Sequence, residues 1–185
     1  MSNWIQTKNG HCFDPDCLEE ISINIEDIAW SLSLTPRFRG HLHKFYSVAQ
    51  HSIWVSENCE ERYAMCGLLH DASEAYLSDI PGPIKLILPD YEELETRVMG
   101  HISKIFGIEF PIPKNVKMWD TKACIYEAQA FMPKRIFDWD IRDMKNTDFS
   151  FDFEKEFSYC TPLTSDEAYK SFLRRFQEIT KTEVY

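Results

Sequence analysis

Between Glu61 and Ala75, apolar residues recur at helical spacing, at Ala64, Met65, Leu68, Leu69 and Ala72, and the run closes on His70 and Asp71. A period near 3.6 demands a helix with one face in a core. Glu74 and Asp79 follow, and the proline-bounded stretch IPGPIK then reads as a rigid turn. A histidine and three carboxylates at this junction have two explanations. Either they surface at a helix end, or they converge inward on something that an apolar core does not bind, such as a metal ion.

The same period runs through most of the chain and predicts an all-α fold. A first helix is expected over Ile25 to Leu34, with Ile25, Ile28, Ala29 and Leu32 in phase until Thr35-Pro36 disfavours continuation. A second starts at Ser47, where Ser47 and Gln50 have the form of a capping box, and it places His51 on the face of Val48 and Val55. The third covers about Glu61 to Ala75. A fourth is expected from Asp90, boxed with Glu93, to Gly107 as its C-cap. The fifth, Lys114 to Phe131, carries Val116, Asp120, Ala123 and Glu127 on one stripe. A last helix over 165–181 follows a cap formed by Thr164 and Glu167.

Two segments break the pattern. Near the start, Asn9-Gly10 between short semi-apolar runs predicts a tight hairpin turn. From Ile136 to Thr164 aromatics alternate with acids and no helical period holds, which predicts a long loop or insertion with a short strand at Asp148 to Phe153. The expected architecture is thus a helical bundle with a small N-terminal hairpin and a long loop before the last helix. At 185 residues, with 44% hydrophobic residues, it forms one domain, 1–185, long enough to bury a core.

Charge and cysteine usage narrow the function. A net charge of -10 argues against a nucleic-acid polymer as partner, because displacing counterions from polyphosphate needs positive charge. Against it stands RFRGHLHK, Arg37 to Lys44, read either as a solvated basic loop or as a local anion site for a small phosphorylated ligand. No apolar run approaches the roughly 18 residues that a membrane span requires. Cys12, Cys17, Cys59, Cys66, Cys124 and Cys160 include no CxxC pair, and MSNWIQTKNGHCFDPD has no leader pattern. The expectation is a reducing cytoplasm with free thiols.

His51, His70, Asp71 and Asp120 are the candidate metal ligands. Together they supply two imidazoles and two carboxylates from three helices, each at or near an inward stripe. A single such histidine is more often a hydrogen-bonded core residue, but inward carboxylates are costly unless paired or metal-bound.

The order His51, His70-Asp71, Asp120 resembles the H…HD…D signature of the HD-domain phosphohydrolase superfamily. The likeness covers about Ile25 to Phe131. FYSVAQHS, LLHDASEAYLSDIPGPIK and WDTKACIYEAQAF look like the branch containing bacterial 5'-deoxynucleotidases and phage dATP triphosphohydrolases. The resemblance implies an all-helical fold and one divalent ion, Co2+, Mn2+, Zn2+, Mg2+ or Fe2+, on His51, His70, Asp71 and Asp120. It also implies catalytic roles for Glu74 and Asp79, and contact of Arg37-Phe38 with the nucleotide phosphate and sugar, Phe standing where the deoxynucleotidases usually have Trp. Relatives in that branch self-associate, which implies a homo-oligomer, dimer or hexamer. No Gly-Tyr-Pro element of the cyclic dinucleotide branch occurs, and Glu74-Ala75 replaces the Glu-Asp pair of alarmone hydrolases.

The expected chemistry is hydrolysis of a phosphate ester or anhydride of a deoxyribonucleotide, by a nucleotidase or a dATP phosphohydrolase. The ion activates water, Glu74 moves protons and Asp79 orients the water. Arg37 and Lys85, with Lys44 or His41 as helpers, stabilise charge on the phosphoryl oxygens. The contrasting reading is a catalytically silent assembly or regulatory protein with a structural metal, using Trp139 to Phe157 as its interface.

Overall fold

The computed structural model describes residues 4–132 and 161–182. The expected strand at Asp148 to Phe153, the interface at Trp139 to Phe157 and most of the loop from Ile136 lie outside the described residues. Residues 161–164, the end of that loop, are irregular. The fold is all-α, with a two-stranded antiparallel hairpin at its start, β1 (Ile5–Gln6) and β2 (Cys12–Phe13).

The hairpin turn expected at Asn9-Gly10 is present. Five residues, 7–11, link the strands, closed by the bond from Gly10 N–H to Thr7 O, with Gly10 left-handed at φ 83°. The connection also has a tether. The Asp27 carboxylate accepts from the Thr7 hydroxyl at 2.8 Å and the Asn9 N–H at 2.9 Å, and lies 2.9 Å from His11 Nδ1.

α1 (Ile25–Leu34) starts where the Asn24 side chain accepts from the Asp27 N–H, and stops before Pro36. α2 (Val48–Asn58) starts at Ser47, whose hydroxyl accepts from the Gln50 N–H. The second half of the expected box does other work. The Gln50 amide donates to Thr161 O and accepts from Leu163 N–H, fastening the chain that leads into the last helix.

The helix expected over Glu61 to Ala75 is interrupted. A 3-10 turn at Glu61–Tyr63 leads into α3 (Ala64–Leu69), and α4 (Glu74–Leu77) follows after a tightened turn. In that turn Ala72 N–H donates to Leu69 O and Glu74 N–H to Asp71 O, both three residues back. IPGPIK is not wholly a turn either, since Pro83 at the second position admits a short α5 (Gly82–Lys85).

α6 (Pro89–Phe106) begins one residue before the expected cap. Pro89 occupies the first helical position, where its missing N–H costs nothing, so Asp90 lies inside the first turn and makes no cap bond. Its end is as expected, on a left-handed Gly107. α7 (Lys114–Phe131) has the expected bounds, and α8 (Ser165–Thr182) follows the Thr164–Glu167 box.

α2 is the central element, packed against α3, α7 and α8, while α1 covers α8 and α2. Ile28, Leu32, Val48, Leu68, Ile102 and Phe172 are fully buried in the main core, and Val55, Cys66, Val116 and Ala123 join α2, α3 and α7 in a second cluster. Gly67 lets α3 approach α2. A Cβ there would stand 2.9 Å from Ser56 Cα and 3.1 Å from its nitrogen. Among the described residues no helix is long and apolar enough to cross a membrane.

Two outcomes follow. Gly67→Ala forces α2 and α3 apart and is expected to cost ~1–3 kcal/mol in urea unfolding. Burial pushes the Asp27 carboxyl up, but hydrogen bonds from His11 and Thr7 outweigh it and leave the group below its ordinary range. A carboxyl held low in the folded state adds stability above its unfolded pKa of about 3.9 and loses it as pH falls through the folded value. Asp27→Asn is therefore expected to cost ~2 kcal/mol near neutrality, and its melting temperature should converge on the parent's in strong acid.

Candidate metal centre

Three helices bring four side chains to one point. His51 is on the buried face of α2, fully enclosed; Asp120 is on the inward side of α7; His70 and Asp71 stand in the tightened turn after α3. His51 Nε2 lies 3.2 Å from His70 Nε2, 3.1 Å from Asp120 Oδ1 and 3.6 Å from Asp71 Oδ2. His70 Nε2 lies 3.2 Å from Asp71 Oδ2 and 3.7 Å from Asp120 Oδ1. His51, His70 and Asp120 form a group able to hold a metal ion, with ligand atoms all within 4.8 Å of one another. Asp71 adjoins this group through both imidazoles.

The far side of each imidazole fixes which nitrogen faces the centre. His70 Nδ1 is 2.8 Å from the Gly67 carbonyl, which can only accept, so in the neutral ring that nitrogen carries the proton. His51 Nδ1 is 2.7 Å from Glu127 Oε1. Glu127 is fully buried; burial pushes its pKa up, but His51 and Arg37 outweigh burial and hold it ionised. Both Nε2 lone pairs therefore point at the same place as two carboxylates. Ligands about 2.1 Å from an ion, at octahedral or tetrahedral angles, stand about 3.0–3.4 Å apart. The donor set and its outer partners fit a divalent cation.

The electrostatics express the same demand for positive charge. Burial opposes a charge on His70, yet Asp71 and Asp120 outweigh it and raise its pKa well above the usual value. Burial likewise works to raise Asp71, but His70 draws it down to about 2. Asp120 is pulled well below its ordinary range by hydrogen bonds to His51 and His70, against burial.

The centre opens on a cavity of about 390 Å³, lined by Asp71 and Asp120 and by Arg37, Phe38, Glu74, Asp79 and Lys85. Glu74 is 6% exposed, and its Oε2 is buried with no hydrogen-bond partner among the described residues. Burial, then Asp71 and Asp79, push its pKa well above the ordinary value. Burial also raises Asp79, partly offset by Arg37.

The basic segment divides. Pro36 and Ser47 form an isolated antiparallel bridge, and Arg37 N–H donates to Tyr46 O, so the chain from Thr35 to Ser47 leaves and returns as one excursion. Arg37, at its start, is buried: Nε donates to Glu127 Oε2 at 3.1 Å and Nη1 is 3.9 Å from Asp71. Lys44 and His41 are exposed and do not line the cavity, because the excursion runs past Gly40 toward the end of α7, where His43 N–H meets Phe131 O. Lys85 reaches the cavity wall, with its Nζ 2.6 Å from Glu95.

Sequence reasoning assigned no role to Glu127, Arg39 or Cys124. Glu127 had a visible signal, a carboxylate on the stripe of Val116 and Ala123. Cys124, one turn beyond Asp120, lines the cavity as a thiol that burial pushes up to about 11. Arg39 carried no signal of its own in the basic run.

No family model matches the chain. It is 35% identical to the uncharacterized protein YfdR of Escherichia coli K12 over 185 residues, 97% of each chain. It is 32% identical to an uncharacterized protein of Rhodobacter capsulatus over 140 residues, 68% of this chain and 71% of that one. The chain belongs to the family of these proteins.

The geometry makes Glu127 the outer support of the centre. Glu127→Gln is expected to weaken divalent-ion affinity about 10–100-fold by calorimetry, with the metal-free helix content retained in circular dichroism.

Proposed function

We propose that this member of the YfdR family is a metal-dependent phosphohydrolase acting on deoxyribonucleotides. One observation carries the reading: two imidazoles and two carboxylates converge on the wall of a cavity that also holds the buried Glu74 carboxyl and the Arg37 guanidinium. The resemblance of Ile25 to Phe131 to HD-domain phosphohydrolases supplies the reaction class and the deoxynucleotide. Held by His51, His70, Asp71 and Asp120, one divalent ion, Co2+, Mn2+, Zn2+, Mg2+ or Fe2+, would supply Lewis-acid polarisation of the phosphoryl group.

The remaining chemistry belongs to the chain. Glu74, whose pKa is raised by burial and its acidic neighbours, is placed to give a proton to the departing oxygen. Asp79, across the cavity, accepts from and orients the attacking water. Arg37 answers the charge that builds on the phosphoryl oxygens, and its pairing with Glu127 keeps it in place before substrate arrives. Lys85 adds a second cation, steadied by Glu95. Phe38, Ile80, Pro81 and Pro83 form an apolar wall suited to the sugar and base.

The test is phosphate release from deoxy- and ribonucleoside mono-, di- and triphosphates by metal-stripped protein resupplied with each ion. Turnover confined to deoxynucleotides supports the reading, and the products separate a nucleotidase from a triphosphate hydrolase. Glu74→Gln should lower turnover about 10²–10⁴-fold with metal content unchanged, whereas Asp71→Ala should lose both. Full activity and unchanged metal content in Asp71→Ala would sink the proposal. Metal that raises the melting temperature without any turnover would leave the structural-metal protein as the better account.

A further inference from the structure

Both rims of the cavity are held in backbone conformations that their residues disfavour. Phe38, Arg39 and Gly40 are left-handed in succession, at φ 53°, 54° and 78°. Glycine adopts that region freely, but phenylalanine and arginine do not. Opposite them Ser78, which ends α4, has φ 78° and ψ 149°, a region close to glycine-only. Such conformations persist where surrounding bonds over-determine them.

The bonds that do so join the two rims. Arg39 Nη1 donates to Ser78 Oγ and to Asp79 O, each at 3.2 Å. The Tyr91 hydroxyl donates to Ser78 O at 2.8 Å and secures the far side of the same turn. The left-handed run sends successive side chains to different tasks: Arg37 inward to Glu127, Phe38 to the cavity, Arg39 outward across the Ser78 turn. Phe38 and Asp79, one beside each end of this link, line the same cavity. Relaxing either rim would swing one of them away from it.

We infer that Arg39 is a positioning residue, whose guanidinium clasps the Ser78 hydroxyl and the Asp79 carbonyl to the Phe38–Gly40 turn and sets the spacing of the walls that hold the substrate. What the walls hold rests on the phosphohydrolase reading; the clasp itself does not. A single charged donor that serves two acceptors on the other rim is a link that alanine removes and lysine restores in part.

The experiment compares the parent, Arg39→Ala and Arg39→Lys, all metal-loaded, by amide hydrogen exchange and by steady-state kinetics on the best nucleotide of the panel. Arg39→Ala is expected to speed exchange over residues 38–40 and 78–81 about tenfold and to leave α2 and α7 unchanged. KM should rise about tenfold with kcat within about twofold, and Arg39→Lys should recover part of both effects. Unchanged exchange over 78–81 overturns the clasp, whether or not any nucleotide is turned over. Faster exchange with an unchanged KM overturns its role in positioning. A parent that hydrolyses no phosphate ester removes the proposed function alone, and the exchange data then decide the clasp. If Arg39→Ala does not fold, Arg39→Lys carries the same comparisons.

Discussion

Glu127 is 1% exposed and ionised, a state that an apolar interior tolerates only when the charge is fully partnered. Its two oxygens have one partner each, His51 Nδ1 and Arg37 Nε. Those two bonds tie α7 to α2 and to the excursion that precedes α2. They also turn His51 Nε2 toward His70 and bring Arg37 within reach of Asp71. Remove the carboxylate and the imidazole loses its fixed tautomer while the guanidinium loses its counter-charge. The positions of both depend on one side chain that neither lines the cavity nor belongs to the ligand group.

How much of this could be read from the chain depended on the kind of interaction. α1 and α7 have the expected bounds because apolar phase agrees with a flanking proline, Pro36 after α1 and Pro113 before α7, and with the Asn24 cap of α1. The helix from Glu61 to Ala75 fails at His70, because a ring bond to the Gly67 carbonyl and two three-residue backbone bonds outbid the helical ladder there. Periodicity is blind to such competition. His51, His70, Asp71 and Asp120 were legible as polar residues on inward stripes, and the structure does bring them together. Lys44 was not separable from Arg37 by charge alone; the bridge between Pro36 and Ser47, which buries one end of the basic run and exposes the other, joins residues far apart in sequence. Arg39 was invisible for the same reason.

Within the cavity, the surroundings shift neighbouring carboxyls in opposite directions. His70 draws Asp71 down to about 2, while burial and Asp71 itself raise Glu74, three residues on. For the proposed hydrolysis, such a split would separate a charge-bearing acid from a proton-donating one. The tightened turn between α3 and α4 makes this division possible, since it sets both residues on the cavity side within a few residues of chain.

Gly67 stands where packing and chemistry meet: its missing side chain admits Ser56, and its carbonyl orients His70. A glycine inside a helix is the ordinary first choice of a protein engineer seeking heat resistance, because alanine there is worth about 1 kcal/mol in propensity. Here that substitution would spread α2 from α3 and carry the two imidazoles apart with them. Thermostabilisation of this scaffold has to be sought at the surface of α6 and α8, away from a position that the core and the centre share.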